Sequence, residues 1–387
     1  MRVRTRLTAC AALTACAVAV PAGAAVAKSA HTASTSPTIG YVYSNDNTAT
    51  ANTIAGFARH LDGSLTALPG SPFSAGGVGA GHGNTSQGSI VSADGGRFIL
   101  AVDNGSNQIS VLKVGSGGAL TQVGSPVSSG GTNPVSIGVS GSLVYVANAA
   151  PGAPNVTGFR LSFFGALSPI ANSTVNLAAD AQPDDVVINS TGTNLVVPDV
   201  AQSVIYSYAI GSNGLLTAAA NSPYTAQGAG PFGSEFDPTD PTWLYVSNAH
   251  NGTALGTVSA YTAGADGSLT SIGSSPFADS QTAPCWLTIT PNGKYVFAVN
   301  TATPSVSSYA INSDGSLTLI GSFPIKETPN PKPTDAVVSG NFLYVVAGGS
   351  GDVIAFRILS GGFLSELSSS PTALPQGATA SGITAAL

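Results

Sequence analysis

Apolar runs of four to six residues, rich in β-branched and aromatic side chains and ending in a polar residue, recur along the chain. Tyr41-Val42-Tyr43-Ser44-Asn45, Val144-Tyr145-Val146-Ala147-Asn148, Leu244-Tyr245-Val246-Ser247-Asn248 and Tyr295-Val296-Phe297-Ala298-Val299-Asn300 are of this kind. A second set follows each, as in Ile54 to Phe57, Val156 to Phe159, Val258 to Tyr261, Val306 to Tyr309 and Val353 to Phe356. Such runs, bounded by Gly, Asn, Ser or Pro, predict strands. After each pair comes a short motif, [Asp/Asn/Gly]-Gly-x-Leu-[Thr/Ser], seen in Asp62-Gly63-Ser64-Leu65-Thr66 and Asp266-Gly267-Ser268-Leu269-Thr270. Its glycine supplies the positive φ of a hairpin turn, and its Leu-Thr opens a third strand. That strand runs out at a Ser-Pro in five repeats (Ser71-Pro72, Ser125-Pro126, Ser222-Pro223, Ser275-Pro276, Ser370-Pro371), as suits an outer edge that needs no further donor.

The motif occurs seven times, at Leu65, Leu120, Leu167, Leu216, Leu269, Leu317 and Leu364, with a period near 50 residues. A fixed period of that length means one supersecondary unit repeated, because no single unit buries its own apolar faces. A fourth strand is expected after each outer one, often opening on a proline: Pro134-Val135, Pro183-Asp184, Pro231-Phe232, Pro284-Cys285 and Pro333-Thr334. No stretch carries helical periodicity. Four antiparallel strands, seven times over, predict an all-β, seven-bladed β-propeller spanning residues 39–387. The segment Gln376 to Ile383 has no blade after it, and the strand at Tyr41 has none before it. Their pairing would close the ring and remove an open edge.

The first residues are of a different kind. Arg2, Arg4 and Arg6 precede an apolar stretch from Leu7 to Val20, and Ala25-Val26-Ala27 offers a cleavage site. Residues 1–27 therefore read as a secretory signal, and 28–38 as a disordered Ser/Thr/Ala-rich linker. Leu13-Thr14-Ala15-Cys16 also resembles a lipoprotein box, which leaves lipid anchoring through Cys16 as the alternative to secretion. Cleavage would leave Cys285 as the one cysteine, so no internal disulfide is expected. It would also leave nine Lys and Arg against 18 Asp and Glu. A net charge of −9 disfavours nucleic acid and anionic membrane as partners. A closed ring needs no partner subunit, so a monomer is expected.

Strands of the form Tyr-Val-x-Asn, together with turns such as Pro291-Asn292-Gly293-Lys294, resemble the lactonase-type seven-bladed propeller family. That family includes 6-phosphogluconolactonase-like proteins and 3-carboxy-cis,cis-muconate cyclases, and the Tyr-Val-Thr-Asn repeat propellers of surface proteins are similar. The resemblance covers all seven repeats and implies lactone chemistry at the central channel, with His or Arg near the start of inner strands. The matching stretches here read Gly230-Pro231-Phe232-Gly233, Ala283-Pro284-Cys285-Trp286 and Gln182-Pro183-Asp184-Asp185, without His or Arg.

Loops at the starts of inner strands converge on the channel mouth, the default ligand site of a ring. Spacing assigns to it His82, Asp103, Asp185, Asp199, Glu235, His250, Trp286, Asn300, Lys332 and Asp335. Asp185 and Asp335 each lie two residues past a proline, and Glu235 shares their parity. Paired carboxylates in a low-dielectric channel can act as general acid or base, and equally can cap loop amides. His82, in a glycine-rich loop, is the candidate proton shuttle, or a solvated histidine. Trp286 offers a stacking platform or blade packing. Asn300 is a candidate oxyanion donor; Lys332 and His250 complete the substrate-binding set. No pair of histidines has metal-ligand spacing, so neither metal nor other cofactor is expected. A phosphorylated substrate would meet one cation, Lys332, among several carboxylates, which excludes phosphogluconate chemistry. Two readings stay open. One is an exported lactonase-like hydrolase or cyclase acting on an uncharged lactone. The other is a non-catalytic propeller that binds a cell-envelope glycan, small ligand or protein through its loops.

Overall fold

The computed structural model describes residues 36–82, 86–326, 329–375 and 380–386. The expected signal segment, the lipidation box at Cys16 and most of the linker lie outside the described residues. Seven antiparallel sheets follow one another around a ring. Blade III is representative. Its inner strand Pro134–Ser140 pairs with Leu143–Asn148, which pairs with Asn155–Leu161, and the outer edge is Leu167–Pro169 followed by Val175–Asn176. The outer strand is thus split in two, both pieces pairing with the third strand. In blade VI it is the single strand Leu317–Pro324, with a register shift where the others break.

The ring closes through the C-terminus. Gly382–Ala386 forms the innermost strand of blade I, in register from Tyr41↔Ala386 to Asn45↔Gly382. The closing strand therefore starts later than Gln376, and residues 376–379 lie outside the described residues. The inner strand of blade IV is also shorter than its proline suggests. Pro183 makes an isolated bridge to Asp199, and the strand proper is Val187–Ile188. Among the described residues the helical content is two 3-10 turns, and no helix is long and apolar enough to cross a membrane.

The core lies between blades, where second and third strands of neighbours stack their alternating apolar side chains. The cluster of Phe297, Val299, Leu343, Val345, Ile354 and Phe356 joins blades VI and VII in this way. The recurring glycine turn has a second role at these interfaces. Tyr43, Tyr145, Tyr245 and Tyr344 donate their hydroxyls to the carbonyls of Gly118, Gly214, Gly315 and Gly63 in the next blade, at 2.6–3.0 Å. Ser207 and Ser308 do the same to Gly267 and Gly362. Gly267 shows why the motif needs glycine: its φ is +83°, and a Cβ would stand 2.8 Å from the backbone of Tyr208 and Ala209. The motif is both a turn and the contact through which one blade grips the next.

Candidate functional site

Inner strands start on one face of the ring, here called the near face, where Pro134 pairs with Asn148 and Pro231 with Asn248. The glycine turns lie on the opposite, far face. Three channel carboxylates come from inner strands or the segments entering them: Asp185 (blade IV), Glu235 (blade V) and Asp335 (blade VII). Asp185 accepts from Ser136 Oγ at 3.0 Å through Oδ1, and from Ser234 N and Oγ at 2.9 and 2.7 Å through Oδ2. It thereby ties blades III, IV and V together. Asp335 accepts from Ala336 N at 2.9 Å and Ile383 N at 3.3 Å, joining blade VII to the closing strand. Both groups are buried with both oxygens engaged.

Glu235 differs. Its Oε2 accepts from Ile289 N at 2.8 Å, and the side chain lines a cavity in the channel. Burial pushes all three carboxyls up: Asp185 to about 6, Asp335 to about 7 and Glu235 to about 8. Hydrogen bonds pull back against burial most strongly at Asp185. At Glu235 one amide bond opposes burial, and the charges of Asp185 and Asp335 raise it further. At neutral pH Glu235 holds a proton within the hydrogen-bonding reach of the cavity, and it releases that proton in the mildly alkaline range.

The cavity measures about 280 Å³ and is lined by Val91, Ile137, Val139, Val187 and Ile188 together with Ser92, Thr384, Asp185, Ser234 and Glu235. Its upper limit is Gln87. Residues 86–89, which lead from blade I into blade II, run across the channel before the inner strand Ile90–Ala93 begins. Gln87 N donates to Asp184 O, its Nε2 donates to Ser234 O at 2.9 Å, and its Oε1 accepts from Leu287 N at 2.8 Å. Ser86 Oγ donates to Val135 O, and Ser86 O accepts from Trp286 Nε1 at 3.0 Å. The carboxylates therefore sit below a crossbar, in the half of the channel that runs toward the far face, and not at the near-face mouth.

A second cavity, of about 500 Å³, occupies the near face over blades II to IV. His82, Asn104, Asn133, Asp180, Gln182 and Asp184 line it, with Ala80, Val135 and Pro151 among its apolar contacts. Asp184 is buried, its Oδ2 has no partner, and burial together with the neighbouring Asp199 and Asp185 charges raises its pKa well above the usual range. Asp199 spends Oδ1 on the amides of Gln182, Ala201 and Gln202. Its Oδ2 is buried without a partner, whereas Asp103 has both oxygens engaged, by Asn52 and Ser110.

The remaining candidates lie apart from the channel cavity. Trp286 is buried edge-to-face against Phe232, with centroids 5.1 Å apart, and anchors the crossbar through its indole N–H. No ring face is open there for stacking. Asn300 donates to Ser305 and Ser307 within its own blade. Lys332 is exposed on a loop with φ +39°. His250 packs over Gly230 on the near face, and partial burial lowers its pKa. Cys285 is half-buried. Among the described residues no three His, Cys, Asp or Glu side chains group as a metal would require. The residue that the sequence reading passed over is Gln87. Its signal was the absence of an opening proline on the inner strand of blade II, where most blades have one.

The architecture has close relatives of distant sequence. A candidate 6-phosphogluconolactonase of Bacteroides uniformis superposes with a TM-score of 0.70 at 19% identity, covering 90% of this chain and 99% of that one. The periplasmic gluconolactonase of Pseudomonas aeruginosa gives 0.70 at 17% identity, with the same coverage of both chains. At these identities the likeness is one of fold. No curated protein sequence matches the chain. The sequence model of the family described as "Lactonase, 7-bladed beta-propeller" matches residues 178–377, just over half of the chain. The chain belongs to the lactonase family of seven-bladed β-propellers.

Proposed function

We propose that this protein is an exported hydrolase of small, uncharged lactones, with Glu235 as its acid–base group in the far-face half of the channel. The observation that carries the reading is the contrast among the three channel carboxylates. Asp185 and Asp335 are spent on inter-blade hydrogen bonds, while Glu235 keeps one oxygen toward a cavity and has a pKa near 8. A group poised near the working pH is what proton transfer in acyl chemistry requires. As carboxylate, Glu235 takes a proton from water while that water adds to the lactone carbonyl carbon. The ring C–O bond then breaks, and the proton held on Glu235 passes to the departing alkoxide, leaving a hydroxy acid.

The walls select the substrate. They are mostly valine and isoleucine, with Ser92 and Thr384 among them, and no described Lys or Arg lines the cavity, so an anionic ring would enter unpaired beside the carboxyls of Asp185 and Glu235. Family membership favours lactone chemistry, and the basic, apolar and small-residue succession of residues 1–27 supports export. Proton release should be followed on a panel of aliphatic, aromatic and phosphorylated lactones. Turnover of an uncharged lactone that falls about 10²–10⁴-fold in Glu235→Gln is expected. Equal turnover in that variant would refute the assignment.

The larger near-face cavity supports a second reading, a ligand-binding propeller, since Asp180, Asp184, Gln182 and His82 present mixed hydrogen-bonding groups to one concavity. A folded protein inactive on the whole panel, yet binding a polyol or glycan with loss in Gln182→Ala, would favour it.

A further inference from the structure

Every blade turns from its third to its outer strand on the far face, and the residues at those turns divide the ring in two. Blades IV, V and VI carry Asn213, Asp266 and Asp314 there. Blades VII, I and III carry Leu359 and Phe363, Leu61 beside Asp62, and the pair Phe163 and Phe164. These five apolar side chains are exposed by 42%, 50%, 58%, 69% and 81%, and exposed apolar side chains gathered on one rim are the kind of surface that marks an interaction site. Cations follow the same division except at blade I. Lys113, Arg160 and Arg357 hold equivalent register positions on blades II, III and VII, opposite Thr121, Ser168 and Ser365. Blades I, IV, V and VI have Ala58, Ala209, Thr262 and Ala310 in that place. Arg97 of blade II stacks its guanidinium 4.2 Å from the ring centre of Phe163, with its charge paired to Asp94 at 2.5 Å. The chain also emerges here: Ser36 Oγ accepts from Asp62 N, and Pro37 O accepts from Leu61 N.

We propose that the far-face rim of blades VII, I, II and III rests on an anionic phospholipid surface. Exposed Phe and Leu beside Arg and Lys match the two layers of a membrane interface, apolar below the headgroups and anionic at them. A soluble anionic polymer would satisfy the cations and leave the phenylalanines in water. A second copy of the chain would bring like-charged rims together. Asp240, Asp266 and Asp314 lie on blades V and VI, away from this rim; on the rim itself Asp94 of blade II is paired with Arg97, and Asp62 of blade I, which accepts from Ser64, opposes docking there. The protein's net negative charge is felt weakly at the rim, because physiological salt screens beyond about 8 Å.

The ring closes within residues 38–386, so the propeller is tested as residues 34–387, free of the N-terminal apolar run. Its partition should be measured on phosphatidylcholine vesicles with and without phosphatidylglycerol, beside size-exclusion light scattering. Binding that needs phosphatidylglycerol, drops about tenfold in Phe163→Ser/Phe164→Ser and severalfold in Arg160→Gln/Arg357→Gln, and is unchanged in Thr262→Ala, is expected. All of these positions are on the surface, so the variants should melt with the parent. Absence of binding to the anionic vesicles would overturn the proposal. So would binding indifferent to the phenylalanines, equal affinity for soluble polyphosphate, or a Phe-dependent dimer in solution. Lactone turnover plays no part in these readouts.

Discussion

Replacing Glu235 by Gln should stabilise this protein, and increasingly so as pH rises. The folded pKa of about 8 exceeds the ordinary glutamate value of 4.5, so the folded chain holds a proton that the unfolded chain has lost between those values. Stability from this group is complete below about pH 4.5 and declines as pH climbs through 8. At roughly 1.4 kcal/mol per pH unit, the ionised carboxylate costs the fold on the order of 4 kcal/mol at pH 9 relative to pH 5. A glutamine has the same shape, keeps an oxygen for the Ile289 amide, and never ionises. For about 350 ordered residues, a change of that size corresponds to roughly 5 °C in Tm. Thermal unfolding of both proteins at pH 5 and pH 9 should therefore show Tm values within about 1 °C at the lower pH and a Glu235→Gln advantage of several degrees at the higher. A variant that melts lower than the parent at pH 9 would mean that Glu235 is a satisfied structural anion, and the acid–base argument would fail with it. A catalytic group that weakens its own fold is a cost expected at functional sites.

Other consequences can be checked separately. The rate constant kcat/KM for a neutral lactone should rise through about pH 8 as Glu235 loses its proton, and a flat profile from pH 6 to 9 would contradict its role as base. Gln87→Ala removes bonds to blades V and VI and should lower stability by about 1–3 kcal/mol in denaturant titration, since Leu287 N and Ser234 O lose their partner. Tyr245→Phe deletes one inter-blade bond to Gly315 O and should cost about 1 kcal/mol by the same measurement. Gly267→Ala combines positive-φ strain with a clash against neighbouring backbone and should cost several times as much, on the order of 3 kcal/mol.

The fold was legible because its determinants are local and repeated. The period-two strands, the glycine turns and their spacing carry the ring, and the unpaired first and last strands imply its closure. Blade-to-blade contacts were not legible in the same way. That Tyr43 and Gly118 meet depends on how adjacent sheets stack, and the hydroxyl bond is invisible in either repeat alone. At the site, parity placed Asp185, Glu235 and Asp335 on the channel but said nothing of depth. Gln87 fixes the depth, and it acts through residues 147 and 200 positions away. Trp286 and Asn300 had the right blade positions, yet the indole N–H goes to Ser86 and the Asn300 amide N–H groups go to Ser305 and Ser307, with Asn300 Oδ1 buried inside the blade. Spacing reports which residues share a level of the ring, and only packing reports which of them still have a free polar atom.

The central claim is tested most directly by comparing kcat/KM for one small aliphatic lactone at pH 8.5 in the parent, Glu235→Gln and Asn300→Ala. The account predicts turnover in the parent, a loss of about 10² or more in Glu235→Gln despite its higher Tm, and near-parent activity in Asn300→Ala if its fold is kept. Activity that survives in Glu235→Gln, or its absence from the folded parent, would contradict it.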